Sequence, residues 1–539
     1  MALIDKYIGA WTQQTAEHLL RRTTFGAPRA LTLQVQTMGM DAAINALLST
    51  ANAPLPSPPI SFADGATFHD QAYNANNDNG IFAPSMRAWW LDLMYRQGLS
   101  LREKMTLFWH SHLVTNQTTV ADTRYMYRQN QLLRRFAMGN IRTLLYEITI
   151  DPAMLLFLNG NVNRADGTNR ANENYARELQ ELFTIGKGPE RATGDYTNYT
   201  ENDIRAAARV LSGWTIPATS RTTGTITVDY NSARHDPTDK QFSAAYGNTI
   251  IRGGRTAADG PREINELLDM IFRQAETARN YVRQLYIFFF NADISNDVEM
   301  NFIRPLADEL MNNRYEVLPT LRRMFSSEHF YSMALRGCMI KNPIDFTLDF
   351  FQRFNVVFPT AAQNRLANYN YFNGIRNTTN NLQMSLLDAP TVFGWPPYYQ
   401  TPDMYRLWIS TATMPQRISF LINTLASLTG GGLNQNTTTG NVSLRVDLLA
   451  FAQQFSRPDD PTRLVTDIAD LFLPTTLTDT MIGYIVTNVL VQGISVAEWP
   501  EYWKLATATN STAANRTAVT TRLVATLQYI VRMAEFQLM

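Results

Sequence analysis

Residues Asn172 to Gly186 read Asn-Glu-Asn-Tyr-Ala-Arg-Glu-Leu-Gln-Glu-Leu-Phe-Thr-Ile-Gly. On a helix, Tyr175, Leu179, Leu182 and Phe183 fall on one face and pack inward, while Asn174, Arg177, Glu178 and Glu181 gather on the other. Asn174 to Glu178 and Arg177 to Glu181 are i, i+4 neighbours, so their side chains can touch. Glu178 lies at the border of the apolar face, where partial burial would raise its pKa. Two roles fit this pattern. Glu178 and Glu181 could be a general acid–base pair or metal ligands, with Arg177 and Asn174 holding an anionic substrate. The commoner outcome of such spacing is a solvated helix face with ordinary ion pairs.

The histidines carry the next candidates. His110 and His112 stand in Phe108-Trp109-His110-Ser111-His112-Leu113. On a strand both would point to one face and could bind a metal, whereas on a helix they diverge by about two hundred degrees. The preceding residues are helical in pattern, so joint ligation requires the helix to end near Trp109. Otherwise each is a core or helix-terminal histidine. His235-Asp236, in Arg234 to Lys240, could serve a metal or proton transfer, although Asp-Pro is also a turn signal. His110, His112 and Asp236 are the candidate ligands for a divalent metal, with His112 and His235 as candidate proton carriers beside the two glutamates. The sequence contains no H-E-x-x-H, no P-loop, no G-x-G-x-x-G after a strand and no G-x-S-x-G elbow. Common metalloprotease, NTPase, dinucleotide-binding and hydrolase classes are therefore disfavoured.

The elements that must position these residues are mostly helices. Thr15 can cap a helix that carries His18, Leu19 and Leu20 and ends near Gly26, after which Pro28 suits the first turn of the next. Pro84 opens a helix from Met86 to Gln97 that Gly98 stops. Ser100 with Glu103, and Thr200 with Asp203, have capping-box spacing. Further helices are expected near 261–275, 277–290, 296–314, 343–354, 444–455, 462–472 and 513–537. Residues 51–80 read as a long loop, and Thr429 to Asn441 as a surface loop. Alternating Thr225-Ile226-Thr227-Val228 suggests a small β-hairpin within 216–254. The expected class is all-α, a multi-helix array with a small β-hairpin insertion and long polar loops. Its regions are 1–215 with the two candidate motifs, 216–260 with the insertion and the His-Asp pair, 261–410 up to a Gly-Trp-Pro turn, and 411–539.

Bulk properties narrow the classes. Hydrophobic residues make up 45% and charged residues 17% of the 539-residue chain, as in ordinary globular proteins. Lys plus Arg equals Asp plus Glu at 47 each, so no global field draws in nucleic acid or an anionic membrane. Cys338 is the only cysteine, which rules out an internal disulfide and a cysteine metal site. The N-terminus lacks the pattern of a signal peptide, and no apolar run is long enough for a transmembrane helix. A cytoplasmic protein is expected by default, and a trimmed precursor or export with a partner would look the same.

The string Asn172 to Gly186 resembles the signature of the bacterial family known as domain of unknown function 1800. Other stretches agree in order: His18 to Arg22 with Phe25-Gly26, and Leu101 to His112. After the signature come Tyr199-Thr200-Glu201 with Ala206 to Arg209 and Ser212-Gly213-Trp214, then the His-Asp loop Arg234 to Lys240. Lys341-Asn342-Pro343 with Phe346, Ala389 to Pro396 and Glu535-Phe536-Gln537 complete the set. Gln284 stands where a basic residue is expected, and Asp345 where Glu is. The resemblance implies a large, predominantly helical bacterial protein with no agreed activity, often encoded beside a sulfatase-like exported family. It adds weight to the region of Glu178 and His112.

Two functional expectations follow. In the first, the chain is a metal-assisted hydrolase or transferase acting on an extracellular or envelope polymer. Glu178 or Glu181 would be base or ligand, Arg177 the anion clamp, and Trp214 and Trp395 aromatic platforms, although buried packing is the commoner role for Trp. In the second, it is a helical scaffold that binds a protein partner, such as the sulfatase-like companion, and the polar cluster is a buried network.

Overall fold

Side-chain caps fix several helix starts. Thr200 and Asp203 form the expected reciprocal box ahead of helix Glu201–Val210. The Asn342 side chain accepts from the amides of Ile344 and Asp345, both at 2.9 Å, ahead of helix Pro343–Arg353. Two caps differ from expectation. The first helix is Gln13–Thr23, boxed by Thr12 with Thr15 at its third position. The helix after Ser100 is Arg102–His112, with Leu101 at its N-cap and no side-chain cap. Glu103 has a stronger claim on its carboxylate. Arg134 grips both oxygens at 2.7 and 2.8 Å, and Trp90 Nε1 donates to one at 2.9 Å.

The computed structural model describes residues 2–49, 53–166, 169–193, 195–399, 404–437 and 440–539. It is predominantly helical, as expected. Strands among the described residues pair only into two-stranded antiparallel sheets. Two involve the insertion: Trp214–Thr215, just ahead of it, pairs with Asp229–Tyr230, and Lys240–Gln241 pairs with Ile250–Ile251. The alternating Thr225 to Val228 run is not a strand. Its backbone is satisfied by side chains instead, with Thr227 N donating to Ser220 Oγ at 2.9 Å and Arg128 Nη1 to the Ile226 carbonyl at 2.9 Å. The Thr429 to Asn441 segment folds, rather than looping, into a hairpin of Leu433–Thr437 with Gly440–Leu444. The Tyr371 hydroxyl lies 2.8 Å from the carbonyl oxygens of Leu433 and Val442 there. Residues 438 and 439 lie outside the described residues, as do 51 and 52 of the expected 51–80 loop. That loop turns helical at Ala75.

The chain forms two compact units that interleave in sequence and cut across the four consecutive regions. One comprises Met1–Ile8, Ile44–Phe330 and Ser385–Tyr405, the other Gly9–Ala43, Tyr331–Met384 and Arg406–Met539. In the first, every residue of helix Arg102–His112 is buried, which places that helix at the centre. In the second, the core contains a chain of buried charges. Arg21 and Arg353 both bond Glu17 Oε1, at 2.7 and 2.5 Å, and Arg353 and Lys341 bond opposite oxygens of Asp349, each at 2.7 Å. Burial lowers the Lys341 pKa to about 8, against the pull of Asp349. The first segment, His18 to Gly26, and Lys341-Asn342-Pro343 thus meet at one cluster. Among the described residues, no helix is long and apolar enough to cross a membrane.

Candidate functional site: an arginine-lined cleft

Glu201, Arg205 and Arg209 recur every four residues, so helix Glu201–Val210 presents them along one face. Arg205 and Arg209 line a cleft of about 350 Å³, together with Arg170 and Glu173 from the loop before helix Asn174–Glu181 and Asp236 from the His-Asp loop. Ala165, Ala171 and Ala208 supply its apolar surface. The arginines differ in how far they are engaged. Arg209 donates from Nε to Asp236 at 2.5 Å and from Nη2 to Thr238 Oγ1 and to the Asp239 carbonyl. Burial opposes ionisation of Asp236, but the bonds from Arg209 and Thr238 outweigh it and bring its pKa down to about 2. Arg205 donates to Asn202 Oδ1 at 3.0 Å and reaches Glu173 only at 3.8 Å. Arg170 is exposed, and among the described residues no ion pair engages it.

A buried network holds the cleft wall from behind. His235 Nδ1 lies 2.9 Å from the Ser212 carbonyl, which can only accept, so Nδ1 carries the hydrogen. Its Nε2 lies 3.1 Å from Glu263 Oε1 and 3.1 Å from Lys240 Nζ, and Lys240 donates to Glu263 Oε2 at 2.6 Å. The His235, Lys240 and Glu263 side chains have no exposure. Lys240 also donates to the Asp236 carbonyl, and the Asp236 amide donates to Ser212 Oγ at 3.2 Å. Both sides of Asp236 are therefore gripped. The Ser–His–Glu order resembles a nucleophilic triad, but Ser212 is fully buried and its hydroxyl donates to the Arg209 carbonyl at 2.7 Å. The arrangement positions; it does not attack.

The other expected residues fall in separate places. The 172–186 segment is helical only over Asn174–Glu181. At its end the Leu182 and Phe183 amides both donate to the Glu178 carbonyl at 2.9 Å, and Gly186, at φ +75°, donates to Gln180 O at 2.9 Å. Beyond the helix Tyr281 and His112 donate to Phe183 O at 2.6 and 3.2 Å, and Asn280 to Thr184 O at 2.6 Å. Arg177 does not turn to Glu181. It grips both oxygens of Glu201, at 2.6 and 2.7 Å, and Glu173 at 3.1 Å, so its guanidinium joins the two helices. Asn174 is exposed at the helix start. Glu181 accepts from the Tyr199 hydroxyl at 3.3 Å and faces Lys187 at 3.6 Å. Glu178 is half-buried, and burial followed by the charge of Glu181 raises its pKa to about 7, against Arg177 and Lys187. Neither glutamate lines the cleft.

His110 and His112 sit on the last turn of one helix in different surroundings. His110 is edge-on to Trp90, with ring centres 5.4 Å apart, and 5.8 Å from Trp395. His112 stacks on Phe108 and meets Tyr281. Burial lowers both imidazoles to about 4, so both are neutral at pH 7. His110, His112 and Asp236 do not form a ligand set, and among the described residues no group of three His, Cys, Asp or Glu side chains is placed to hold a metal ion. Trp395 is packed in the core, and Trp214, buried against Tyr230, is not a cleft platform either.

A family model described as "Protein of unknown function (DUF1800)" matches residues 18–538. The chain belongs to the DUF1800 family. No curated protein and no solved structure gives a match to it. In this DUF1800 chain the signature segment, the block that follows it and the His-Asp loop converge on the arginine cleft. Of the expected site residues only Asp236 lines it. Arg170, Glu173, Arg205 and Arg209 were not among them, yet the four-residue spacing of Glu201, Arg205 and Arg209 was a signal that could have found part of the site.

Proposed function

We propose that this protein binds an anionic ligand in the cleft of Arg170, Arg205 and Arg209. The observation that carries this reading is the delivery of three guanidinium groups by two separate segments to one cavity of about 350 Å³, within the range of small-molecule sites. Arginine suits this task because its planar fork of donors matches oxyanions. The reading is binding rather than turnover. Glu178, Glu181, His110, His112 and His235 do not line the cleft, so none of the expected proton carriers faces a ligand there. A metal-assisted hydrolase or transferase is not carried forward, since its candidate ligands occupy different surroundings. A scaffold role is the second reading, favoured by the buried His235–Glu263–Lys240 and Glu17–Arg353–Asp349 networks.

Calorimetric titration with inorganic sulfate at low ionic strength tests the first reading. Arg170→Ala and Arg205→Ala are each expected to weaken binding by roughly tenfold, the loss of a charge-assisted hydrogen bond. Unchanged affinity in both variants would remove the cleft as the anion site and leave the scaffold reading.

A further inference from the structure

The two carboxylates on the cleft wall are held very differently. Asp236 is locked: Oδ1 accepts from Thr238 N at 2.8 Å and Thr238 Oγ1 at 2.6 Å, and Oδ2 from Arg209 Nε at 2.5 Å. A carboxylate offers about four acceptor positions, so about one remains on Asp236. Glu173 is divided: Oε2 accepts from Arg177 at 3.1 Å, and Oε1 stands 3.8 Å from Arg205 Nε, too far for a hydrogen bond. The Arg205 side chain is 62% exposed, which makes this pair weak and easily exchanged.

We infer that Glu173 is a stand-in anion, displaced from Arg205 when ligand enters, and that Asp236 stays in place to accept a donor on that ligand. This rests on the anion-binding reading and narrows the ligand to one class: an oxyanion ester with a hydroxyl or amino donor close to the charged group. Arg170 and Arg205 take the oxyanion, and the remaining acceptor position of Asp236 takes the donor. The alanines Ala165, Ala171 and Ala208 face an aliphatic or saturated-ring surface. Among the described residues, no aromatic side chain lines the cleft to stack a base or another flat ring. Sulfate and phosphate esters share this chemistry and are separated by the titration below.

The full chain is titrated with inorganic sulfate, glucose 6-sulfate and glucose 6-phosphate. The wild type is expected to bind at least one of the two sugar esters about fivefold or more tighter than sulfate, and the preferred ester identifies the oxyanion. Glu173→Gln, at a surface position, is expected to tighten sulfate by about two- to fivefold, the worth of an exposed ion pair. If sulfate binds through Arg170 and Arg205 but neither ester is favoured, or Glu173→Gln leaves the affinity unchanged or weaker, the inference falls while the anion-binding reading stands. If no anion binds the wild type, both fall.

Discussion

His235 Nε2 and Glu263 Oε1 lie 3.1 Å apart with neither side chain reaching solvent, and Lys240 closes the group at 2.6 Å from the same carboxylate. This cluster sits directly behind Asp236 because Lys240 and Ser212 hold the backbone of that residue. Glu263→Ala would leave an ammonium buried without its counter-charge, a change that destabilises by about 3–5 kcal/mol. Chemical denaturation followed by near-UV circular dichroism should show that loss. A change below about 1 kcal/mol would mean that the cluster does not hold the wall.

His110 and His112 give a pH dependence whose sign can be worked out. Both have folded pKa values of about 4, below the ordinary 6.5. Between these values the unfolded chain binds more protons than the folded one, so stability rises with pH through this window and is lost as pH falls from 6.5 towards 4. The full effect is about 3 kcal/mol for each histidine. Comparing thermal unfolding of wild type and His110→Phe at pH 7 and pH 5 checks this, since the variant should lose less on acidification. Identical losses would contradict burial of a neutral imidazole.

Glu178 has the opposite sign. Its folded pKa of about 7 lies above the ordinary 4.5, so the folded state binds the extra proton and stability declines as pH rises from 4.5 through 7. Glu178→Gln is expected to raise the melting temperature at pH 8 and leave it unchanged at pH 4. The gain should be modest, because the side chain is only half-buried and solvent screens its charge. A lower melting temperature at pH 8 would show that the ionised carboxylate has a stabilising partner.

In the second unit, Arg353 joins Glu17 to Asp349 with no side-chain exposure. Arg353→Leu removes the cation shared by two buried carboxylates, leaving Glu17 to Arg21 alone and Asp349 to Lys341 alone, and should destabilise that unit by about 3 kcal/mol. Hydrogen exchange should show the loss concentrated in helices Gln13–Thr23 and Pro343–Arg353. Uniform or absent deprotection would contradict the role of the pair.

The helical class was legible because apolar periodicity and local caps act within a few residues, as at Thr200 with Asp203 and at Asn342. Where long-range partners competed, local spacing misled. Glu103 left a cap for Arg134, Arg177 left Glu181 for Glu201, and the Thr225 to Val228 run found side-chain acceptors and donors instead of a strand. Of the residues expected from the sequence only Asp236 lines the candidate cleft, for the same reason. The polar edge of the signature helix marked the right neighbourhood, but which guanidinium faces the cleft depends on which carboxylate already occupies it. Arg177 is committed to Glu201 and Glu173, whereas Arg205 bonds Asn202 on its own helix and stands 3.8 Å from Glu173.

Arg170 and Arg205 are expected to share one bound oxyanion. A crystal of the protein grown with selenate, recorded at the selenium absorption edge, measures this directly. The predicted result is an anomalous peak within hydrogen-bonding reach of both guanidinium groups, with the Glu173 carboxylate turned away from Arg205. A cleft without such a peak, in a crystal where selenate is bound elsewhere on the chain, would contradict it.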